Sequence, residues 1–291
     1  NNYEICIMDV STGESETISD IGYPFDFAWS RDGRKLAFFF GKSYQSTSEV
    51  SLYIYDVASG RTERTAMSFT AKFWPKRLAW ARGGANLAFE RAREESSLSG
   101  VFVVPSDGSA GWEVAPNNYH NCFGEFKSMC WSADGSRLAF ITRDANDMGK
   151  VCTVNAQGKD LTFLTKPISC LWGLAWSWDG KKIAFNSGEG RREEERTAGM
   201  ADIWVMNADG SNPRPITHGT AAAIEDRTYY MILEWTRDNR YVMTWYGQPD
   251  PDFEGQERYH GFAFVDVASG EVIKAVNNEL GSSDVFNIWG R

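Results

Sequence analysis

Apolar positions in this chain come in short runs closed by Gly, Asp, Ser and Asn, with little clean polar alternation inside them. One run recurs: apolar, x, Trp, Ser, x, Asp, Gly, x, x, apolar, Ala, Phe. It reads FAWSRDGRKLAF from Phe27, LAWARGGANLAF from Leu78, MCWSADGSRLAF from Met129, LAWSWDGKKIAF from Leu174 and, in degraded form, LEWTRDNRYVMT from Leu233. NIWGR closes the chain at Arg291. The Trp anchors are Trp29, Trp80, Trp131, Trp176, Trp235 and Trp289, spaced by 51, 51, 45, 59 and 54 residues. Seven residues after each of the first five Trp comes an apolar partner: Leu36, Leu87, Leu138, Ile183 and Val242. A second phrase alternates with the first: a short strand, a Gly turn and another short strand. Its copies are IMDVSTGE from Ile7, IYDVASGR from Ile54, VVPSDGSA from Val103, TVNAQGKD from Thr153, VMNADGSN from Val205 and FVDVASGE from Phe264.

These are hairpin sequences, because Gly and Asn supply the positive φ that tight turns need. Asp32, Asp134, Asp179 and Asp238 share one turn slot, where a carboxylate accepts local backbone N–H bonds. Their repetition therefore predicts a structural role rather than a metal or catalytic one. Each repeat is expected to hold four strands, a to d. In the first they fall near Phe25–Trp29, Leu36–Phe40, Val50–Val57 and Arg61–Thr65. Four-strand units of this length predict propeller blades whose faces stack on one another, which explains the weak polar alternation. The expectation is an all-β, six-bladed β-propeller, with residues 1–291 as a single domain. Tyr3–Val10 and Glu16–Ile18 read as strands c and d with no a or b before them. Val285–Trp289 reads as a strand a with nothing after it. Pairing the two ends would close the ring and cover exposed edges. No strand b is legible for this composite blade, so it reads as three-stranded unless the chain continues past Arg291.

VMNADGSNPRPIT (Val205–Thr217), with the Trp-Ser-x-Asp-Gly repeats around it, resembles the propeller repeats of the TolB-like family. The resemblance implies a periplasmic or extracellular setting and a protein-binding role. The N-terminal α/β domain found in TolB is not seen in this sequence. Similar blades occur in prolyl oligopeptidase-type and tricorn-type proteases and in oligogalacturonate lyases. Two alternatives therefore stand beside peptide recognition: a carbohydrate-binding or carbohydrate-active propeller, and the propeller domain of a larger peptidase or hydrolase.

Antiparallel strands send the a–b and c–d turns to one end of each blade and the b–c and d–a loops to the other. The first set is short and uniform, and the second is long and varied. Variable loops on a rigid scaffold are where recognition usually sits. The predicted binding surface is thus the b–c/d–a face, around the mouth of a central channel. The candidate residues lie just before each strand a: Trp74, Lys76, Arg77, His120, Lys127, Trp172, Arg227, Tyr229, Tyr230 and Asp284. Trp, Tyr and Arg are favoured at binding hot spots. Trp74 and Trp172 would equally serve to cap blade interfaces.

Composition narrows the rest. The 42% hydrophobic and 14% aromatic content suits a large core. A net charge of −9 without a basic run argues against nucleic-acid binding. No apolar stretch is long enough to span a membrane. Asn1–Val10 reads as a strand rather than a signal peptide. The five cysteines are Cys6, Cys122, Cys130, Cys152 and Cys170, none at metal-site spacing. Cys122 and Cys170 occupy equivalent loops, which leaves a disulfide between them open. The histidines are His120, His218 and His260, and no HExxH or GxSxG motif is present. No catalytic residue and no cofactor are expected. Calcium is the one metal left open, at Asp144, Asn146 and Asp147 or at Asp250, Asp252, Glu254 and Glu257, although neither loop has EF-hand spacing. The run GRREEER (Gly190–Arg196) reads as an exposed loop. A monomer that binds a protein or peptide, or a glycan, is the expectation.

Overall fold

A computed structural model describes residues 3–20, 22–43, 48–70, 75–92, 98–120, 129–143, 146, 148–169, 171–189, 201–218, 229–249 and 257–278. At 76, 92, 98–99, 115–120, 229, 248–249, 257–260 and 275–278 it describes the backbone alone. Among the described residues the structure is all strand and turn, without a helix. β1 (Cys6–Met8) and β2 (Ser15–Thr17) form an antiparallel pair. The first four-stranded sheet is β3 (Tyr23–Trp29), β4 (Lys35–Gly41), β5 (Glu49–Asp56) and β6 (Arg61–Thr70). The second is β7 (Lys76–Trp80), β8 (Asn86–Ala92), β9 (Leu98–Pro105) and β10 (Trp112–His120). The third is β11 (Met129–Trp131), β12 (Arg137–Arg143), β13 (Gly149–Asn155) and β14 (Thr162–Phe163). The fourth is β15 (Trp172–Trp176), β16 (Lys182–Ser187), β17 (Asp202–Asn207) and β18 (Arg214–Pro215). The fifth is β19 (Tyr229–Trp235), β20 (Tyr241–Pro249), β21 (Glu257–Asp266) and β22 (Val272–Asn278). Each sheet is an antiparallel meander in chain order.

The seven-residue spacing now has a physical meaning. Trp29 lies opposite Leu36, Trp80 opposite Leu87, Trp131 opposite Leu138, Trp176 opposite Ile183 and Trp235 opposite Val242. The a–b turns between them are Ser30–Arg34, Ala81–Ala85, Ser132–Ser136, Ser177–Lys181 and Thr236–Arg240. In the first of these the Ser30 hydroxyl donates to Asp32 at 2.8 Å, and Asp32 accepts the Arg34 amide at 3.1 Å. Asp134, Asp179 and Asp238 repeat the pattern. These bonds hold the carboxyls of Asp32, Asp134 and Asp238 below the usual range, the Ser or Thr hydroxyl being the largest cause. The turn needs a left-handed residue near its end, which is Gly33, Gly84, Gly135 and Gly180 in four copies. In the degraded copy Asn239 takes that place at φ 60°, as Asn tolerates better than most residues.

The core is a series of layers between successive sheets. Ala37, Phe39, Leu52 and Ile54 of the first sheet pack against Leu78, Trp80, Leu87 and Phe89 of the second. Comparable clusters join the second to the third, the third to the fourth and the fourth to the fifth. The β1–β2 pair sits on the other face of the first sheet, through Ile5, Ile7 and Ile18 against Leu36, Phe38 and Tyr55. Strands packed on both faces have no reason to alternate apolar and polar residues. The repeated Trp also ties sheet to sheet. The indole N–H of Trp80 donates to the Ala28 carbonyl at 2.8 Å, Trp131 to Ala79 at 3.2 Å and Trp235 to Ala175 at 3.0 Å. In each case the acceptor is the residue before the preceding sheet's own Trp. Trp176 departs from the rule and donates to Gly180 of its own turn at 3.0 Å.

Several boundaries differ from the sequence reading. The N-terminal strands are shorter, at Cys6–Met8 and Ser15–Thr17. β6 runs on to Thr70, and β10 extends to His120 through two register shifts, so His120 lies in a strand rather than a loop. β20 and β21 lengthen into the expected 247–261 loop and take in His260. Bulged and edge segments carry polar residues that read as loop, although their backbones still pair.

Candidate functional site

Three of the ten predicted rim residues have described side chains: Arg77, Trp172 and Tyr230. For Lys76, His120 and Tyr229 only the backbone is described, and Trp74, Lys127, Arg227 and Asp284 lie outside the described residues. Lys76, Arg77, Trp172, Tyr229 and Tyr230 are the first residues of the innermost strands rather than part of the loops before them. The register shifts there: between Pro24 and Asp26 in β3, Lys76 and Ala79 in β7, Trp172 and Leu174 in β15, and Ile232 and Glu234 in β19. Such bulges free backbone N–H groups from the ladder.

Asp26 uses the freed groups of the next sheet. Its carboxylate accepts the Leu78 amide at 2.8 Å and the Phe27 amide at 2.8 Å. Burial nonetheless raises its pKa, against the lowering effect of those amides, the Arg77 amide and the Arg77 charge. Arg77 itself has φ 60° and pairs with Glu90, the two side chains being 13% and 12% exposed. Arg143 donates to the Leu171 carbonyl from the third sheet to the fourth. Asn186 joins the fourth to the fifth, donating to the Tyr230 carbonyl at 2.8 Å and accepting the Ile232 amide at 3.3 Å. Trp172 and Tyr230 are half-buried, and Tyr230 packs on the apolar layer between these sheets. Polar groups at this end thus clamp neighbouring sheets, with aromatic rings partly open beside them.

The opposite end holds an arrangement that the sequence reading missed. The residue between Ser or its equivalent and Asp in each a–b turn is Arg31, Arg82, Ala133, Trp178 and Arg237. Four of these converge. The guanidinium carbons of Arg31, Arg82 and Arg237 lie 3.6, 4.4 and 5.3 Å from the centre of the Trp178 ring. They come from the first, second and fifth sheets, and the ring from the fourth. Arg82 also donates to the Trp176 carbonyl at 3.0 Å and lies 3.7 Å from a Glu234 oxygen. Trp178 is fixed by its own N–H, which donates to the Trp235 carbonyl at 2.8 Å. Burial lowers the pKa of both Arg31 and Arg82, and the neighbouring Arg82 and Arg237 charges add to the effect on Arg31. The turns showed a variable residue at this slot. Only the fan of sheets shows that the slot faces a shared axis.

No family model matches the chain. Dipeptidyl-peptidase 5 of Porphyromonas gingivalis is 28% identical over 127 residues, which is 40% of this chain and 17% of that protein. Among solved structures, a TolB of Agrobacterium tumefaciens superposes with a TM-score of 0.60 at 19% identity, covering 93% of this chain and 87% of that one. The β-propeller domain of the Trilobed protease from Pyrococcus furiosus gives 0.56 at 14% identity, covering 87% and 70%. The chain has a TolB-like β-propeller fold. An oligogalacturonate lyase of Vibrio parahaemolyticus also shares it, with a TM-score of 0.61 at 15% identity over 91% of this chain and 73% of that one.

In this propeller the turn aspartates are structural, as their spacing implied. Cys130 and Cys152 are buried in strands, and burial pushes the Cys152 thiol up to about 12, whereas Cys6 is exposed. Cys122 and Cys170 lie outside the described residues, so their pairing does too. The same holds for Asp144, Asp147 and the acidic residues 250–254, and only the backbone of Glu257 is described. His218 is described and exposed.

Proposed function

We propose that the chain is a non-catalytic recognition module, a six-bladed propeller that binds a protein or peptide on its b–c/d–a loop face. The observation that carries this reading is the contrast between the two ends. All five a–b connections have the same length, and four of them share the same Asp-centred bonding, whereas the b–c connections range in length from the 93–97 segment to the 188–201 segment. In this reading β1 and β2 pair with Val285–Trp289 to complete the sixth blade. The setting is periplasmic or extracellular, in line with the TolB-like fold. Selection from a displayed peptide library, followed by calorimetry on synthesised hits, tests the proposal. Trp172→Ala with Tyr229→Ala should weaken the hits while the far-ultraviolet spectrum is kept. Unchanged affinity would count against this face. The likeness to oligogalacturonate lyase supports a second reading, a uronate-binding or uronate-cleaving propeller. Binding or turnover of oligogalacturonides distinguishes it from the first.

A further inference from the structure

We propose that Arg31, Arg82, Arg237 and Trp178 form a binding site for a small multivalent oxyanion, a carboxylate or phosphate compound, at the a–b turn end of the inner strands. The site lies opposite the proposed recognition face and does not depend on it. Three guanidinium groups sit within 5.3 Å of one ring centre in a protein of net charge −9. Each is therefore within one Debye length of that ring centre, about 8 Å at physiological ionic strength. Among the described residues Glu234 is the carboxylate in ion-pair reach of this group, 3.7 Å from Arg82, and its charge also acts on Arg31. Arg31 and Arg237 are exposed and have no carboxylate partner among the described residues.

The nearest remaining acids do not fill the gap. Asp32, Asp179 and Asp238 follow three of the four residues in sequence. Their carboxylates are held by Ser30, Ser177 and Thr236 and by the amides of their own turns. In the second repeat Gly83 stands where the aspartate would be. A residual positive charge is thus held over an indole, with two guanidinium forks open to solvent. Arg82 is anchored by the Trp176 carbonyl, and Trp178 by the Trp235 carbonyl, so half of the site is rigid before a ligand arrives. Planar forks match carboxylate and phosphate oxygens in pairs, which favours these groups over halide. Burial is the largest cause lowering the Arg31 pKa; the Arg82 and Arg237 charges add to it and the single Glu234 charge opposes it, which agrees with an excess of cations over carboxylates here.

The test is calorimetry of the full chain with citrate and, separately, pyrophosphate at low salt. One saturable site per chain is expected for at least one of them, and the tighter of the two decides between carboxylate and phosphate. Raising sodium chloride should weaken it. Arg31→Gln with Arg237→Gln should weaken it by about tenfold or more, since charge-assisted bonds are lost. Both residues are exposed, so the double variant is expected to melt with the parent. If it does not, Ala133→Glu, which adds a carboxylate at the same slot of the third turn, replaces it and should abolish binding. Absence of saturable heat with both anions, or undiminished binding in a folded variant, would overturn the proposal and leave the cluster a plain inter-blade plug.

Discussion

Asp26 and the turn aspartates are the same residue type with opposite electrostatic histories. Asp134 is exposed and bonded to Ser132, and its carboxyl is held low, so its contribution is present at neutral pH and fades as pH falls through the folded value. Asp26 is half-buried between two inner strands, and partial burial holds its carboxyl high. Above 3.8 and below its raised folded value, the folded state binds more protons than the unfolded one at this site. Stability from Asp26 is therefore full below 3.8 and declines as pH rises through that window. Asp26→Ala leaves the Leu78 and Phe27 amides without their acceptor, which should cost about 1–3 kcal/mol. Urea unfolding across the acidic range should show the gap between parent and variant narrowing as pH rises. A gap that widens with pH would reverse the assignment. The turn role of the aspartates was legible because it is local. That of Asp26 was not, since its partner is 52 residues away and is exposed only by a bulge.

At the level of strands, the inner-edge bulge is the device that sequence patterns hid. Trp and its apolar partner announce where strand a ends, but nothing local announces the register shift two to four residues earlier. The ladder skips Phe25, Arg77 with Leu78, Gly173 and Leu233, residues with no shared chemistry. Gly173 shows why one of them cannot change. Its φ is +59°, and an added Cβ would lie 2.4 Å from the Asn186 Oδ1 that links β16 to β19. Gly173→Ala should cost roughly 1–2 kcal/mol from the backbone alone, and more by displacing Asn186. Thermal unfolding measures the loss, and Asn186→Ala in the same background tests its origin. If Asn186 is already displaced by the alanine, the second substitution adds little. The two-residue strands β14 and β18, too short to carry a period, were legible only through the repeated Gly turn before them.

Across the whole molecule, what the repeats announced was the layering of sheets, and what they concealed was which side chains the layering gathers. Residues 31, 82, 178 and 237 are far apart in sequence and meet only because successive sheets fan around an axis. The same geometry supplies a test of closure. Trp80, Trp131 and Trp235 each donate to the residue before the preceding Trp. Trp29 has no such bond among the described residues, and the rule assigns its acceptor to Ile288, the residue before Trp289. If the ring closes there, Trp29→Phe should cost about as much as Trp131→Phe, on the order of 1 kcal/mol for the bond beyond the shared loss of ring volume. Removing residues 285–291 should then erase most of the Trp29 penalty while leaving that of Trp131 intact, because the first bond loses its acceptor and the second does not. Equal penalties with and without the C-terminal segment would mean that Trp29 is held by the β1–β2 pair alone, through the packing already seen against Leu36 and Phe38, and that residues 285–291 supply no acceptor for it.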